Sequence, residues 1–155
     1  MLLGLYIKYK DGFIFVMSHI NKHIYSFNSS GKFISQIGNL GQGPGEYQLP
    51  ISFFSNADKS TIFIEDHRDI LEYEFDGSFV RSYQKATVEG EALGSVSYVG
   101  DDLFVGRVIY TGKNKYNYCL FDQNGNAVKC FPNHFFSIEQ LYMLRLMTGH
   151  LTLYV

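Results

Sequence analysis

Short runs in which apolar and polar residues alternate are separated by turn residues along most of the chain. Leu5 to Tyr9 and Gly12 to Val16 are joined by Lys10-Asp11, and Ile51 to Ser55 and Thr61 to Ile64 by Asn56-Ala57-Asp58-Lys59-Ser60. Ser95 to Val99 and Leu103 to Gly106 are joined in the same way by Gly100-Asp101-Asp102. A period of two over four to seven residues, bounded by Gly, Asn and Asp, predicts strands in hairpins rather than helices. A helical stripe competes only at residues 138–147, where Leu141, Leu144 and Met147 would share one face; Leu141 to Leu146 and Leu151 to Val155 also read as two strands.

Downstream of each of these pairs lies a second hairpin, and its wording repeats. The copies are Ile24-Tyr25-Ser26-Phe27-Asn28-Ser29-Ser30-Gly31-Lys32-Phe33-Ile34, Ile70-Leu71-Glu72-Tyr73-Glu74-Phe75-Asp76-Gly77-Ser78-Phe79-Val80 and Tyr118-Cys119-Leu120-Phe121-Asp122-Gln123-Asn124-Gly125-Asn126-Ala127-Val128. An aromatic residue precedes each glycine by four positions, and Gly31, Gly77 and Gly125 stand 46 and then 48 residues apart. The polar residue three before the glycine (Asn28, Glu74, Asp122) is expected to open a type I turn through its side chain. The glycine then takes the left-handed conformation as a bulge.

Each unit is therefore four short antiparallel strands in about 46 residues, the arithmetic of a β-propeller blade. The expected fold class is all-β, with blades at about residues 3–37, 51–83 and 95–131 and the start of a fourth at about 138–155. That makes about three and a half blades, a partial ring in one domain.

Composition sharpens this reading. The chain has 155 residues with Phe 14, Tyr 12 and Trp 0, and the aromatic excess suits strands packed face to face. The net charge of -2 provides no electrostatic case for nucleic acid or an anionic membrane. No apolar stretch is long enough for a membrane helix. The amino-terminal run Met1 to Ile7 is stopped by Lys8 and Lys10 and lacks the features of an export signal.

The two cysteines flank the third hairpin. A two-residue turn at Asn124-Gly125 would set Cys119 opposite Cys130, whereas a three-residue loop with Gly125 as bulge would set Cys119 opposite Lys129. Recurrence of the glycine pattern favours the second register, and with it two free thiols.

Between the first and second hairpins runs Gly38-Asn39-Leu40-Gly41-Gln42-Gly43-Pro44-Gly45-Glu46-Tyr47-Gln48-Leu49-Pro50, followed by Ile62-Phe63-Ile64-Glu65-Asp66-His67-Arg68-Asp69-Ile70. Residues 38–83 resemble the NHL-type repeats of six-bladed β-propellers from bacterial surfaces and the periplasm. The resemblance implies a ring of six blades, a location outside the cytoplasm and a binding role. Against such a ring this chain is short, which implies a fragment of a longer chain, a truncated product, or a partial ring whose open outer blade faces self-associate.

In a propeller the loop at residues 38–50 and the turn at 65–69 emerge on one face. Glu46, Tyr47, Asp66, His67 and Arg68 are therefore expected to gather there and to contact a protein or a small polar ligand. Asp66 and Arg68 also suit a bracing role for the loops. The leading functional expectation is a non-catalytic binding or scaffold module, ahead of a metal-dependent lyase or hydrolase acting in a central channel and a purely structural part of a larger assembly. The glycine-rich loop is not a phosphate cradle, since it lacks the Lys-Ser/Thr ending and precedes a strand. His19 and His23 lie on an extended segment and are not a zinc pair, while His19 with His67 could share a metal only from neighbouring blades. No cofactor is specified.

Overall fold

The computed structural model describes residues 5–18, 20–56, 59–109 and 115–133. The described residues form strands and turns without helix. The first sheet comprises β1 (Leu5–Lys10), β2 (Phe13–Ser18), β3 (Ile24–Asn28) and β4 (Phe33–Gln36). A linker follows, carrying the two-residue parallel pair β5 (Asn39–Leu40) and β6 (Glu46–Tyr47). The second sheet comprises β7 (Ser52–Ser55), β8 (Thr61–Glu65), β9 (Asp69–Glu74) and β10 (Phe79–Gln84). A second linker holds the pair β11 (Thr87–Val88) and β12 (Glu91–Ala92). The third sheet comprises β13 (Gly94–Gly100), β14 (Leu103–Arg107), β15 (Tyr116–Phe121) and β16 (Ala127–Pro132).

Each sheet is a four-stranded antiparallel meander in chain order, as the hydrophobic alternation predicts. The sheets stack face to face, and β7 adjoins both β1 and β13, so the first strands of the three sheets lie side by side. No ring closes among the described residues. The fourth unit expected at residues 138–155 lies outside them.

Two cores hold the stack. Between the first and second sheets, Phe15, Met17 and Ile24 meet Phe53, Ile62, Ile64, Leu71 and Tyr73, with Ile37 and Tyr47 of the linker sealing the edge. Between the second and third sheets, Phe54, Phe63, Ile70 and Tyr83 meet Val96, Phe104, Cys119 and Phe121. The second sheet is thus covered on both faces, and every residue of β8 is buried. Phe63 alone packs against Phe54, Tyr83, Tyr98 and Phe104 at centroid distances of 5.1–5.8 Å. Edge-to-face and offset aromatic pairs of this kind strengthen a core beyond the area they remove from water.

The hairpins carry glycine as expected: Gly31, Gly77 and Gly125 have φ of 80, 96 and 77°. In each, the glycine N–H donates to the carbonyl three residues earlier, at 2.9–3.0 Å. Asn28 and Asp122 cap their turns through Oδ1, which accepts from Ser30 and Lys32 and from Asn124 and Asn126. The middle hairpin departs from expectation. Asp76 accepts from Ser78 N there and Glu74 does not cap, since an aspartate two residues from the amide fits an Asx turn that a longer glutamate overshoots.

The cysteine register is a second correction. Gly125 does form the bulge, and Phe121 pairs with Ala127, but a further irregularity then shifts the ladder so that Cys119 faces Cys130. The two are joined as a disulfide, not free thiols. The same shift occurs in the other hairpins, between Phe79 and Arg81 and between the pairs Phe27–Phe33 and Ser26–Ser35. Val128, Val80 and Ile34, each three residues after its glycine, are the extra residues and point into solvent. A bulge at the turn followed by one in the strand restores the register that a two-residue turn would have produced.

Candidate functional site

The turn after β8 and the linker at residues 38–50 do emerge side by side, and with the start of β10 they enclose a cleft of about 580 Å³. Its lining includes Glu46, Asp66, His67 and Arg68, together with Gln42, Gln48, Asp69, Phe79, Arg81 and Ser82.

Asp66 organises the cleft. Its carboxylate is 5% exposed as a residue, and it accepts from Leu49 N at 2.6 Å and Gln48 N at 3.2 Å, which ties the linker to the β8–β9 turn. Its amide donates to Asp69 O at 2.9 Å, closing the turn, and Lys85 Nζ donates to its carbonyl at 3.2 Å. Asp66 therefore braces the loops, and its charge-assisted bonds to backbone amides are a strong form of such bracing. His67 is partly exposed, and its Nδ1 lies 3.5 Å from Asp66 Oδ2 with no formed hydrogen bond.

Arg68 differs from Asp66. Its side chain is exposed on the cleft wall, and among the described residues its guanidinium has no hydrogen bond, ion pair or ring contact. Glu46 lines the same cleft from the linker and accepts from Gly43 N through Oε2 at 2.8 Å. Tyr47 is not part of the cleft. Its ring is fully buried in the first core, its hydroxyl donates to Ile37 O at 3.1 Å, and burial pushes that hydroxyl up to about 12. A buried, spoken-for phenol seals the linker onto the core, so Tyr47 is corrected from a ligand contact to a structural residue. Tyr73 works alongside it, donating to Gly45 O at 2.9 Å, and Phe79 packs edge-on against Tyr73.

Two charge networks, one buried and one partly exposed at Arg81 and Asp102, adjoin the lining of the cleft. Lys85 Nζ lies 2.9 Å from Glu65 Oε1, with side-chain exposures of 2% and 0%. Glu65 Oε2 also accepts from Ser52 Oγ at 2.7 Å and, across the sheet boundary, from Val96 N at 3.2 Å. The pair thus joins the second sheet to the third beneath the Asp66 turn.

At the rim, Glu72 accepts from Tyr83 at 2.6 Å, Thr61 at 2.7 Å and Arg81 at 3.1 Å, and Arg81 reaches on to Asp102 at 3.0 Å. Burial alone would raise the Glu72 carboxyl, but these hydrogen bonds outweigh it and hold the group below the ordinary carboxylate range. Burial and the hydrogen bond to Glu72 push the Tyr83 phenol up.

The contributions of β10 and of Asp69 were absent from the sequence reading. Arg81 carries a signal in retrospect, because the hairpin register sets it opposite Glu72, and two opposite charges across a ladder mark a paired site. Among the described residues no group of three or more His, Cys, Asp or Glu side chains could hold a metal ion. His19 lies outside the described residues. No described helix is long and apolar enough to cross a membrane.

Residues 2–153 match a family described as a domain of unknown function, DUF4934. No curated protein matches the chain. Among solved structures, a candidate exported protein of Bacteroides fragilis NCTC 9343 is 26% identical with a TM-score of 0.69, over 86% of this chain and 38% of that one. A member of the DUF4221 family from Bacteroides vulgatus ATCC 8482 is 13% identical with a TM-score of 0.59, over 85% of this chain and 44% of that one. The second likeness is one of fold alone. This chain spans less than half the length of either structure.

Proposed function

The chain belongs to the DUF4934 family, and we propose that it is a non-catalytic binding module of β-propeller type, working outside the cytoplasm and taking a small polar ligand in the Arg68 cleft. The observation that carries this reading is the exposed Arg68 guanidinium, which has no partner among the described residues and lines a cleft of about 580 Å³ whose walls are pinned by Asp66 and Lys85. A planar donor fork can meet ligand oxygens with two parallel hydrogen bonds, and the pinned loops around it need no further ordering on binding. Gln48, Asp69 and Ser82 offer further polar groups around it.

The architectural part rests on three four-stranded meanders stacked face to face with their first strands adjacent. Read as blades at about residues 3–37, 51–83 and 95–131, they are an arc of an NHL-like ring. The location is supported by the Cys119–Cys130 disulfide, since such bonds persist in oxidising compartments, and by the exported description of the Bacteroides fragilis relative.

Calorimetric titration of short oligosaccharides, dipeptides and dicarboxylates into the wild type and Arg68→Ala tests the site. At least one class is expected to bind, with affinity falling about tenfold or more in the variant, the worth of one charged hydrogen bond. Binding that is indifferent to Arg68→Ala, or absent for all three classes, would overturn the assignment. Thiol labelling of unreduced native protein tests the location, and labelled Cys119 or Cys130 would count against it.

A further inference from the structure

The glycines of the first linker hold two further side chains in the Arg68 cleft. A Cβ on Gly41 would occupy the place of the Glu46 carboxylate, and one on Gly45 would lie 2.7 Å from Phe79 Cγ. Because neither carbon is there, the carboxylate folds over the linker, where Gly43 N donates to Oε2 at 2.8 Å, and the Phe79 ring packs against the Gly45 backbone. Tyr73 holds the same ring edge-on at a centroid distance of 5.6 Å. Phe79 is fixed in this way yet stays 40% exposed where it lines the cleft. Glu46 also keeps capacity to bind, since among the described residues its Oε1 has no hydrogen bond or ion pair.

The charges of the lining select the class of ligand. Glu46, Asp66 and Asp69 line the cleft with Arg68 and Arg81. Arg81 is matched by Glu72 and Asp102, which leaves the Arg68 guanidinium as the lining arginine without a partner among the described residues. A ligand with several negative charges would meet that cation among three carboxylates, and a ligand of net positive charge would leave the cation unmatched. An uncharged ligand incurs neither penalty. Donors and acceptors are both on offer, the Arg68 fork and the amides of Gln42 and Gln48 beside the Glu46 carboxylate. Each is a planar group with polar atoms side by side. A cleft of about 580 Å³ has room for a molecule of several rings rather than one small ion.

We propose, resting on the reading of this cleft as a ligand site, that it takes an uncharged oligosaccharide. One sugar ring lies against Phe79, while Arg68 donates to its hydroxyls and Glu46 accepts from them. A pyranose has a face of C–H groups and a rim of adjacent hydroxyls. The face suits an aromatic ring already held in place, and the rim suits planar groups that engage two neighbouring hydroxyls at once. A dipeptide would also meet Glu46 and Arg68, but through the charges at its ends, and salt separates the two cases.

Calorimetric titration at about pH 8, above the ordinary imidazole range, is the test. The probes are cellotriose, maltotriose, xylotriose and chitotriose, with dialanine and succinate as charged competitors. At least one trisaccharide is expected to bind, and its affinity to change less than about threefold between about 0.01 M and about 1 M salt. Glu46→Ala is expected to weaken it about tenfold or more, Glu46→Gln, which keeps an acceptor, by less, and Phe79→Leu about threefold or more. Should Phe79→Leu fail to fold, Glu46→Ala, at an exposed side chain, decides the matter. If dialanine or succinate binds through Arg68 and no trisaccharide does, the sugar assignment falls and the binding role stands; if no probe binds, both fall. Trisaccharide binding that is indifferent to Glu46→Ala, or lost at high salt, would also overturn the assignment.

Discussion

The three hairpin glycines occupy the same turn position, yet alanine at each should cost a different amount, because their neighbours differ. All three have φ between 77 and 96°, so a Cβ at any of them brings the left-handed penalty of about 1–2 kcal/mol. That penalty is partly offset by the stiffer unfolded chain, worth about 0.4–1 kcal/mol. At Gly31 nothing lies within 4 Å of the added carbon, so the net cost should be about 1 kcal/mol or less. At Gly125 the nearest atoms are Gln84 Cβ and Lys85 O, both at 3.2 Å, and a shift of a few tenths of an ångström suffices.

At Gly77 the carbon would lie 2.7 Å from Gln36 O, a backbone carbonyl of β4 in the neighbouring sheet. That atom cannot rotate away, so hairpin and sheet must separate, adding about 1–3 kcal/mol as in an overpacked core. Urea unfolding of the three alanine variants should therefore rank Gly77 well above Gly125, and Gly125 above Gly31. Each kcal/mol corresponds to about 2–4 °C of Tm for a chain of this size. Equal shifts at the three sites, or the largest at Gly31, would refute the claim that contact between sheets rather than turn geometry sets the cost.

Other outcomes follow from the same contacts. Gly77→Val should cost at least about 1 kcal/mol more than Ser78→Val, since a β-branched residue resists positive φ, and equal melting temperatures would contradict the turn assignment. Lys85→Met leaves the Glu65 charge buried and should destabilise by about 3–5 kcal/mol, whereas the double variant with Glu65→Leu should recover much of that loss in a mutant cycle. Because the folded state depresses the Glu72 carboxyl, the stabilisation it contributes is complete above the ordinary carboxylate range and is lost as pH falls through the folded value. Glu72→Gln should therefore flatten the acid side of the stability–pH curve below about pH 5, and an unchanged acid limb would count against the network. Reducing Cys119–Cys130 should cost about 2–4 kcal/mol and raise amide exchange in β16, whose residues are mostly exposed; unaltered exchange would show that the strand is held by its ladder alone.

Much of the fold was legible along the chain because the information is local. Alternation of apolar and polar residues, a turn pair, and a glycine four after an aromatic residue determine a hairpin without reference to anything distant. The repeat of that unit made the stack of four-stranded meanders predictable as well. Two loops leaving the same edge of a sheet lie together, which is why Glu46, Asp66, His67 and Arg68 line one cleft while Tyr47, expected with them, does not.

What the chain did not disclose depends on which groups meet across sheets. Tyr47 reads as a polar aromatic beside a glycine-rich loop, and only the core closing over it turns its hydroxyl inward to Ile37. Asp66 and Arg68 are two residues apart and looked alike as loop braces. One faces the linker amides and is consumed by them, while the other faces open cleft.

The sequence by itself determined the strands, the turns and the period of the repeat, because those follow from the pleat and from backbone sterics within about ten residues. The tertiary structure alone decided the register of Cys119 on Cys130, the burial of Glu65 with Lys85 and the exposure of Arg68. The physical reason is that a single bulge moves every side chain beyond it to the other face, and a charge is stabilised or stranded according to neighbours many residues away.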